Sequence, residues 1–248
     1  MDMFKPIPIF RSRMLRRLIF FQLLIGWFYL PACHCPAATI VLDPGHGGSD
    51  SGAGRGGEFA ENEFAMVLSQ KIASLLMARH RVELTRTADI QMPPSDRTAV
   101  ANHLQADLLI SFHAAVAPYC SSQSAAIFYY DDERLAFPSD LSIQGSLTES
   151  DTDRPAWTML QIRHQHQSQR LADTIRRSLS DSDTFNQVTV SAAPLVTMMG
   201  ADLPAILMEV GCLHPKATPN PQIQTRQLNH YAESIAKAIE ASLPDLNQ

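Results

Sequence analysis

The apolar positions of the chain follow two alternating periods. Thr39-Ile40-Val41-Leu42 is a short β-branched run that stops at Asp43-Pro44-Gly45, the pattern of a buried strand ending in a sharp loop. A glycine-rich stretch from Gly45 to Gly57 follows and carries neither period. From Glu61 onward Phe64, Met66, Val67, Leu68, Ile72, Leu75 and Leu76 recur at helical spacing, which predicts a helix reaching about Arg79. Val82-Glu83-Leu84-Thr85 reads as a second strand, Ser95 to Leu104 as a helix opened by Ser95 as its capping residue, and Asp107 to His113 as a third strand. Farther on, Ala125–Tyr130 reads as a strand, Trp157–Leu179 as a helix, Pro204–Val210 as a strand and Pro221–Leu243 as a helix.

Strands alternating with helices in this way predict an α/β fold. The expected architecture is a single layered domain with a mostly parallel central sheet of about six strands and helices on both faces. In such sheets ligands gather at the carboxyl ends of the strands. Between Asp131 and Pro155 the periodicity fails, and Pro138, Gly145 and Pro155 interrupt what remains. That insertion is expected to form a loop at the rim rather than a stable helix plugging a site.

Residues 1–38 follow a different logic. Lys5, Arg11, Arg13, Arg16 and Arg17 precede a mostly apolar run from Leu18 to Leu30, and Pro31 then opens a stretch of small residues. This is the order of a secretory signal peptide, and the run is shorter than the ~20 residues a membrane-spanning helix needs. The expected product is therefore exported, periplasmic or extracellular, with residues 39–248 as its mature domain. Leu30-Pro31-Ala32-Cys33 also resembles a bacterial lipoprotein box, so membrane attachment would come through an uncleaved signal or a lipid on Cys33.

Composition narrows the classes further. At 45% hydrophobic and 18% charged residues, collagen-like and disordered readings fail. Residues 1–38 hold five of the 20 basic residues and one of the 25 acids, so 39–248 keeps 15 bases against 24 acids, a net charge of −9. Such an acidic domain is unsuited to nucleic acid, whose phosphates require clustered Lys and Arg. In an exported chain Cys120 and Cys212 can pair, although two free buried thiols fit the sequence equally.

His46 follows the first strand, His113 closes the third, and Glu61 opens the long helix after the glycine loop. Two imidazoles and one carboxylate are the ligand set of a hydrolytic zinc whose fourth position stays open. Taken singly, each also suits a structural role: a hydrogen-bonded histidine near a strand end, or a glutamate complementing a helix dipole. Glu63 is the rival carboxylate, but two residues along the helix it occupies another face. Glu209 interrupts the otherwise apolar run Pro204–Gly211, where a charge is costly unless it is paired or bound. It is either an ion-pair partner of an arginine or helix N-terminus, or a general base. His164 and His166, two apart on a helix, cannot face one metal; His80, His103 and His230 have no partner pattern, and His214 is left open.

Several of these pieces occur together in a known order. Ile40 to Gly48, Gly52-Ala53, Gly57, Glu61, Leu84-Thr85-Arg86, Arg97 with Ala101-Asn102, Ala106-Asp107, Ser111-Phe112-His113-Ala114 and Pro204 to Gly211 keep the spacing of one family. The chain resembles the zinc-dependent N-acetylmuramoyl-L-alanine amidases (Amidase_3) over about residues 39–243. The resemblance implies one zinc per chain held by His46, Glu61 and His113, with Glu209 as the catalytic acid/base. It implies a peptidoglycan substrate cut between N-acetylmuramic acid and L-alanine, in wall remodelling or cell separation. A monomer is expected, and the short, interrupted 131–155 insertion predicts activity without an activator. Ala115, where the family usually has Asn or Asp, and Cys212-Leu213-His214-Pro215, where it commonly has an aromatic and a Ser-Asn-like turn, depart from the pattern. These departures bear on substrate contacts rather than on hydrolysis. A zinc peptidase cutting stem peptides and a non-catalytic wall-binding homologue are the competing readings; the complete His, Glu, His, Glu set argues against the second.

Overall fold

Among the described residues six strands form one sheet: β1 (Thr39–Pro44), β2 (Arg81–Leu84), β3 (Leu108–Val116), β4 (Ser124–Tyr130), β5 (Gln187–Ala193) and β6 (Ala205–Leu213). The helices are α1 (Glu61–Leu76), α2 (Pro94–His103), the single turn α3 (Leu160–Arg163), α4 (Gln165–Ser180) and α5 (Pro221–Leu246), with a 3₁₀ turn at Val196–Met198. This computed structural model describes residues 37–53, 60–116, 120–131, 160–213 and 221–246. The segment through Pro36 read as a signal peptide, with Cys33, almost all of the 131–155 insertion, and His214 lie outside the described residues.

The strand order is β2-β1-β3-β6-β4-β5. Strands β2, β1, β3 and β6 run parallel, β4 lies antiparallel to β6, and β5 is parallel to β4. One rim of the sheet therefore collects the carboxyl ends of β1, β3 and β6 together with the amino ends of β4 and β5. The expected mostly parallel sheet of six strands is borne out, with one antiparallel junction.

Period two decides which side each strand residue faces. Ile40, Leu42, Leu108, Ile110, Ile206 and Met208 meet the buried faces of α1, α4 and α5 in the larger core. Their neighbours Val41, Leu109, Ala205 and Leu207 point the other way and pack with Ala101 of α2 and Met198 of the 3₁₀ turn. Helices thus cover both faces, and β1, β3 and β6 read as continuous apolar runs because both of their sides are buried. Along α1, Phe64, Leu68, Ile72 and Leu76 form the buried stripe, while the chain turns out of the helix at Met77, short of Arg79.

Two local readings change, and one strand joins those read from the sequence. β5 is an edge strand whose half-buried residues alternate with exposed ones, so Gln187–Ala193 lacks the apolar run that marks the inner strands. Ser95 caps nothing: Pro93 is the N-cap and Pro94 opens α2, where a missing N–H costs no hydrogen bond. The long helix expected from Trp157 is broken at His164 into α3 and α4 among the described residues. Cys120 and Cys212 form a disulfide with Cα atoms 5.4 Å apart, which decides between the two thiol readings. No helix of the described residues is long and apolar enough to cross a membrane.

Ile206 is fully buried in the middle of β6. Ile206→Ala should cost about 3 kcal/mol of stability, from lost transfer energy and a residual cavity, read as a lowered urea midpoint.

Candidate metal centre and active site

The site starts from a carboxylate that ends β1. Asp43 is buried, and both of its oxygens are used: Oδ1 accepts from Thr85 Oγ1 at 2.5 Å and Arg97 Nη1 at 2.7 Å, Oδ2 from Ser111 Oγ at 2.6 Å. Arg97 then donates to the carbonyls of Pro44 and His46, and Arg86 to those of Pro44 and Gly45. Two guanidiniums therefore hold three successive backbone carbonyls of the loop that carries His46. Under that clamp His46 adopts φ +58°, a left-handed conformation that non-glycine residues rarely take.

Glu61 is brought in by the start of α1. No side chain caps this helix; its first amides donate instead to the glycine-loop carbonyls, Glu61 N to Ala53 O at 3.1 Å and Asn62 N to Ser51 O at 3.3 Å. The Glu61 carboxylate reaches back, with Oε2 accepting from Ala53 N at 2.8 Å and Oε1 from Ala114 N at 3.2 Å. Glycines leave it room: a Cβ on Gly52 would stand 2.6 Å from Glu61 Oε2 and from the His46 ring. Glu61 is buried while Glu63 is exposed, as the helical offset requires.

Three donor atoms converge. Glu61 Oε1 lies 3.1 Å from His46 Nε2 and 2.9 Å from His113 Nδ1, and the two imidazole nitrogens are 3.2 Å apart. These residues are a group that could hold a metal ion. A tetrahedral zinc with ligands at about 2.0–2.1 Å would space them about 3.3–3.4 Å from one another, close to what is observed. The chemistry of the set agrees. His46 Nδ1 lies 2.8 Å from Asp50 Oδ2, and in the neutral tautomer that donates to this carboxylate, Nε2 turns a lone pair toward the Glu61 oxygen. Two acceptors then face each other unless a cation or proton lies between them. The Asp50 contact is the carboxylate support that metal-bound histidines commonly have.

The titration directions follow from the same contacts. Burial works to raise the Glu61 carboxyl, but hydrogen bonds from His113, His46 and the Ala53 amide overcome it and hold the group far below the usual carboxylate range. Its hydrogen bond to Glu61 raises His46 against the opposing effect of burial, with Asp50 adding to the rise.

Glu209 lies beside this cluster through sheet register, paired with His113 across β3 and β6. Burial pushes its carboxyl above the ordinary value, and the charged groups acting on it are His113, which lowers it, and Glu61, which raises it. Among the described residues no arginine or lysine takes it as an ion-pair partner. A cavity of about 360 Å³ opens on its other side, lined by Ala115, Ser124, Ala126, Gln187 and Thr189. A second cavity, of about 550 Å³, flanks His46 and Asp50 along Gln91, Met92 and Pro93.

Of the histidines set aside in the sequence, His80 accepts from Ala38 N and His164 contacts Asp202 and Gln167, which are structural roles. Sequence reasoning passed over Asp50, Asp43, Arg86 and Arg97 as site-building residues. A signal was present for two of them: an acid directly ending an apolar strand, and an acid four residues beyond His46.

Residues 40–241 match the N-acetylmuramoyl-L-alanine amidase family, Amidase_3. The chain belongs to that family. AmiC of Escherichia coli O6:H1, an N-acetylmuramoyl-L-alanine amidase, is 24% identical over 221 residues, 84% of this chain and 53% of its own length. AmiC of Neisseria meningitidis serogroup B is 22% identical over 215 residues, 82% of this chain and 52% of its own. The chain thus spans about half the length of these curated relatives. Among solved structures, the catalytic domain of the amidase CwlV from Bacillus (Paenibacillus) polymyxa var. colistinus has a TM-score of 0.55 at 21% identity, covering 84% of this chain and 98% of that one. That likeness shows a shared α/β fold.

Two substitutions probe the construction of the site. A Cβ on Gly45 would stand 2.5 Å from His113 Cε1 and 2.8 Å from the Phe112 carbonyl, so Gly45→Ala should push the His113 ring aside. Zinc affinity, read by competition with a chromophoric chelator, should fall about tenfold or more while the far-ultraviolet spectrum is kept. Arg97→Met leaves the Asp43 carboxylate buried without its ion-pair partner, and should cost about 3–5 kcal/mol in urea unfolding.

Proposed function

We propose that this chain is a zinc-dependent amidase that hydrolyses the bond between the lactyl group of N-acetylmuramic acid and the L-alanine of the stem peptide in bacterial peptidoglycan. The observation that carries the reading is the convergence of His46, Glu61 and His113 next to a half-buried Glu209 that has no ion-pair partner among the described residues, in a member of the amidase family. His46, Glu61 and His113 would hold one zinc. Bound there, the ion supplies Lewis-acid polarisation of the scissile carbonyl and lowers the pKa of a water toward neutrality.

The remaining work falls to the protein's own groups. Asp50 and the arginine clamp keep His46 turned to the site. The Glu209 carboxylate takes a proton from the attacking water and returns it to the nitrogen of the leaving amine. Its elevated pKa suits both halves of that task, because a stronger base accepts the proton more readily and still gives it up to an amine. Since the amine nitrogen must come within reach of Glu209, the peptide half of the substrate lies toward the cavity of Ala115, Ser124 and Gln187. The glycan half lies toward the cavity beside His46.

The Cys120–Cys212 disulfide supports export, because such bonds persist in oxidising compartments, and the amino-terminal segment supplies the address. Digestion of purified peptidoglycan tests the reading directly. A newly freed L-alanine amine is expected; a cut within the stem peptide would make the protein a peptidase, and no cut would make it a binding homologue. Glu209→Gln keeps the shape of the side chain but cannot accept the proton. It should retain one zinc by elemental analysis and lose about 10²-fold or more in kcat.

A further inference from the structure

The cavity next to Glu209 has a wall that the catalytic groups do not explain. Besides Glu209 and Ala115 it is lined by Cys120, Ser121 and Ser124, the turn leading into β4. Cys212 lies three residues beyond Glu209 on β6. Between His113 and Ala115 on β3 the register shifts, so that β6 spends three steps, from Glu209 to Cys212, where β3 spends two. The extra residue is a bulge at Gly211, whose φ of +70° suits glycine. It turns Cys212 onto the same face of the sheet as Glu209.

The disulfide thus ties the turn directly to the strand that carries the proposed base. The other ties of that turn are hydrogen bonds. Ser122 O accepts from the Tyr231 hydroxyl and, at 3.3 Å, from Gln227 Nε2, while Asn186 N donates to Gln123 O at 2.8 Å. Ser121 and Ser124 otherwise bond to each other. None of these bonds reaches Glu209. His46, Glu61 and His113 are carried by the loop after β1, by α1 and by β3, and none of them takes part in the crosslink or in these hydrogen bonds.

We propose that the Cys120–Cys212 disulfide is a positioning element for substrate, which fixes the Cys120–Ser124 wall of the cavity that receives the peptide half. This rests on the amidase reading and on the orientation it sets. The oxidised chain presents a preformed wall; the reduced chain must order that wall on binding, which weakens the complex without altering proton transfer at Glu209.

The test compares oxidised and reduced protein, both zinc-loaded, at a temperature where circular dichroism shows each still folded. Alkylation and peptide mapping establish that Cys120 and Cys212 are free after reduction. Binding of a muramyl pentapeptide to the Glu209→Gln protein is measured by calorimetry, and turnover of the same compound by the unsubstituted protein. Reduction should raise Kd and KM about tenfold, with kcat within about twofold and zinc content unchanged. The Cys120→Ala/Cys212→Ala double variant should match the reduced protein. Unchanged Kd and KM with both thiols free would overturn the proposal, as would a joint loss of zinc and kcat, which marks a merely structural bond. If the oxidised protein binds the compound but frees no L-alanine amine, the amidase reading fails and takes the proposal with it.

Discussion

The Asp43 carboxylate and the two arginines around it are the constraint on which the site depends. A carboxylate buried at the end of an apolar strand is tolerated only when every oxygen is satisfied and a counter-charge is close. Asp43 meets that condition with Thr85 from beyond β2, Ser111 from β3 and Arg97 from α2, so a single side chain joins three elements at one rim. The geometry of the arginines does the rest. A guanidinium offers several donors in a rigid plane, and besides the Arg97 bond to Asp43 both arginines donate to the carbonyls of residues 44 to 46. The loop backbone is thereby fixed at the point where a left-handed histidine must be held.

From that loop the other parts follow in order. Because the glycine stretch folds back, its carbonyls cap α1 in place of a side chain, and the helix begins where Glu61 can enter between the two imidazoles. Because β3 lies between β1 and β6, His113 stands next to His46 on one side and to Glu209 on the other. The antiparallel junction at β4 then brings the amino ends of two more strands to the same rim. There, short side chains such as Ala126 and Ser124 leave a cavity rather than a wall.

Electrostatically the centre is an acidic site kept from self-repulsion by its partners. Glu61, Asp50 and Glu209 surround two histidines, and the first two are held in their charged forms by hydrogen bonds from imidazole and backbone amides. Glu209 has no such donor among the described residues and is pushed the opposite way by burial. The contrast between a carboxylate stabilised as an anion and a neighbour with raised basicity fits the ligand role proposed for the first and the proton-transfer role proposed for the second.

Much of this was legible in the amino-acid sequence, because strands buried on both faces and amphipathic helices leave periods that do not depend on their neighbours. β1, β3, β4, β6 and the long helices could be read in that way, and so could His46, Glu61, His113 and Glu209, which break local patterns or stand at strand ends. β5 could not, because an exposed edge strand has only a weak alternation. Nor could the split at His164, the pairing of Cys120 with Cys212 across a separation of 92 residues, or the ion pair of Asp43 with Arg97, 54 positions away. Local sequence determines which elements form and which residue types stand at their ends. Whether an acid meets a base, or a thiol a thiol, depends on strand order and register, and these are decided only when the whole sheet packs.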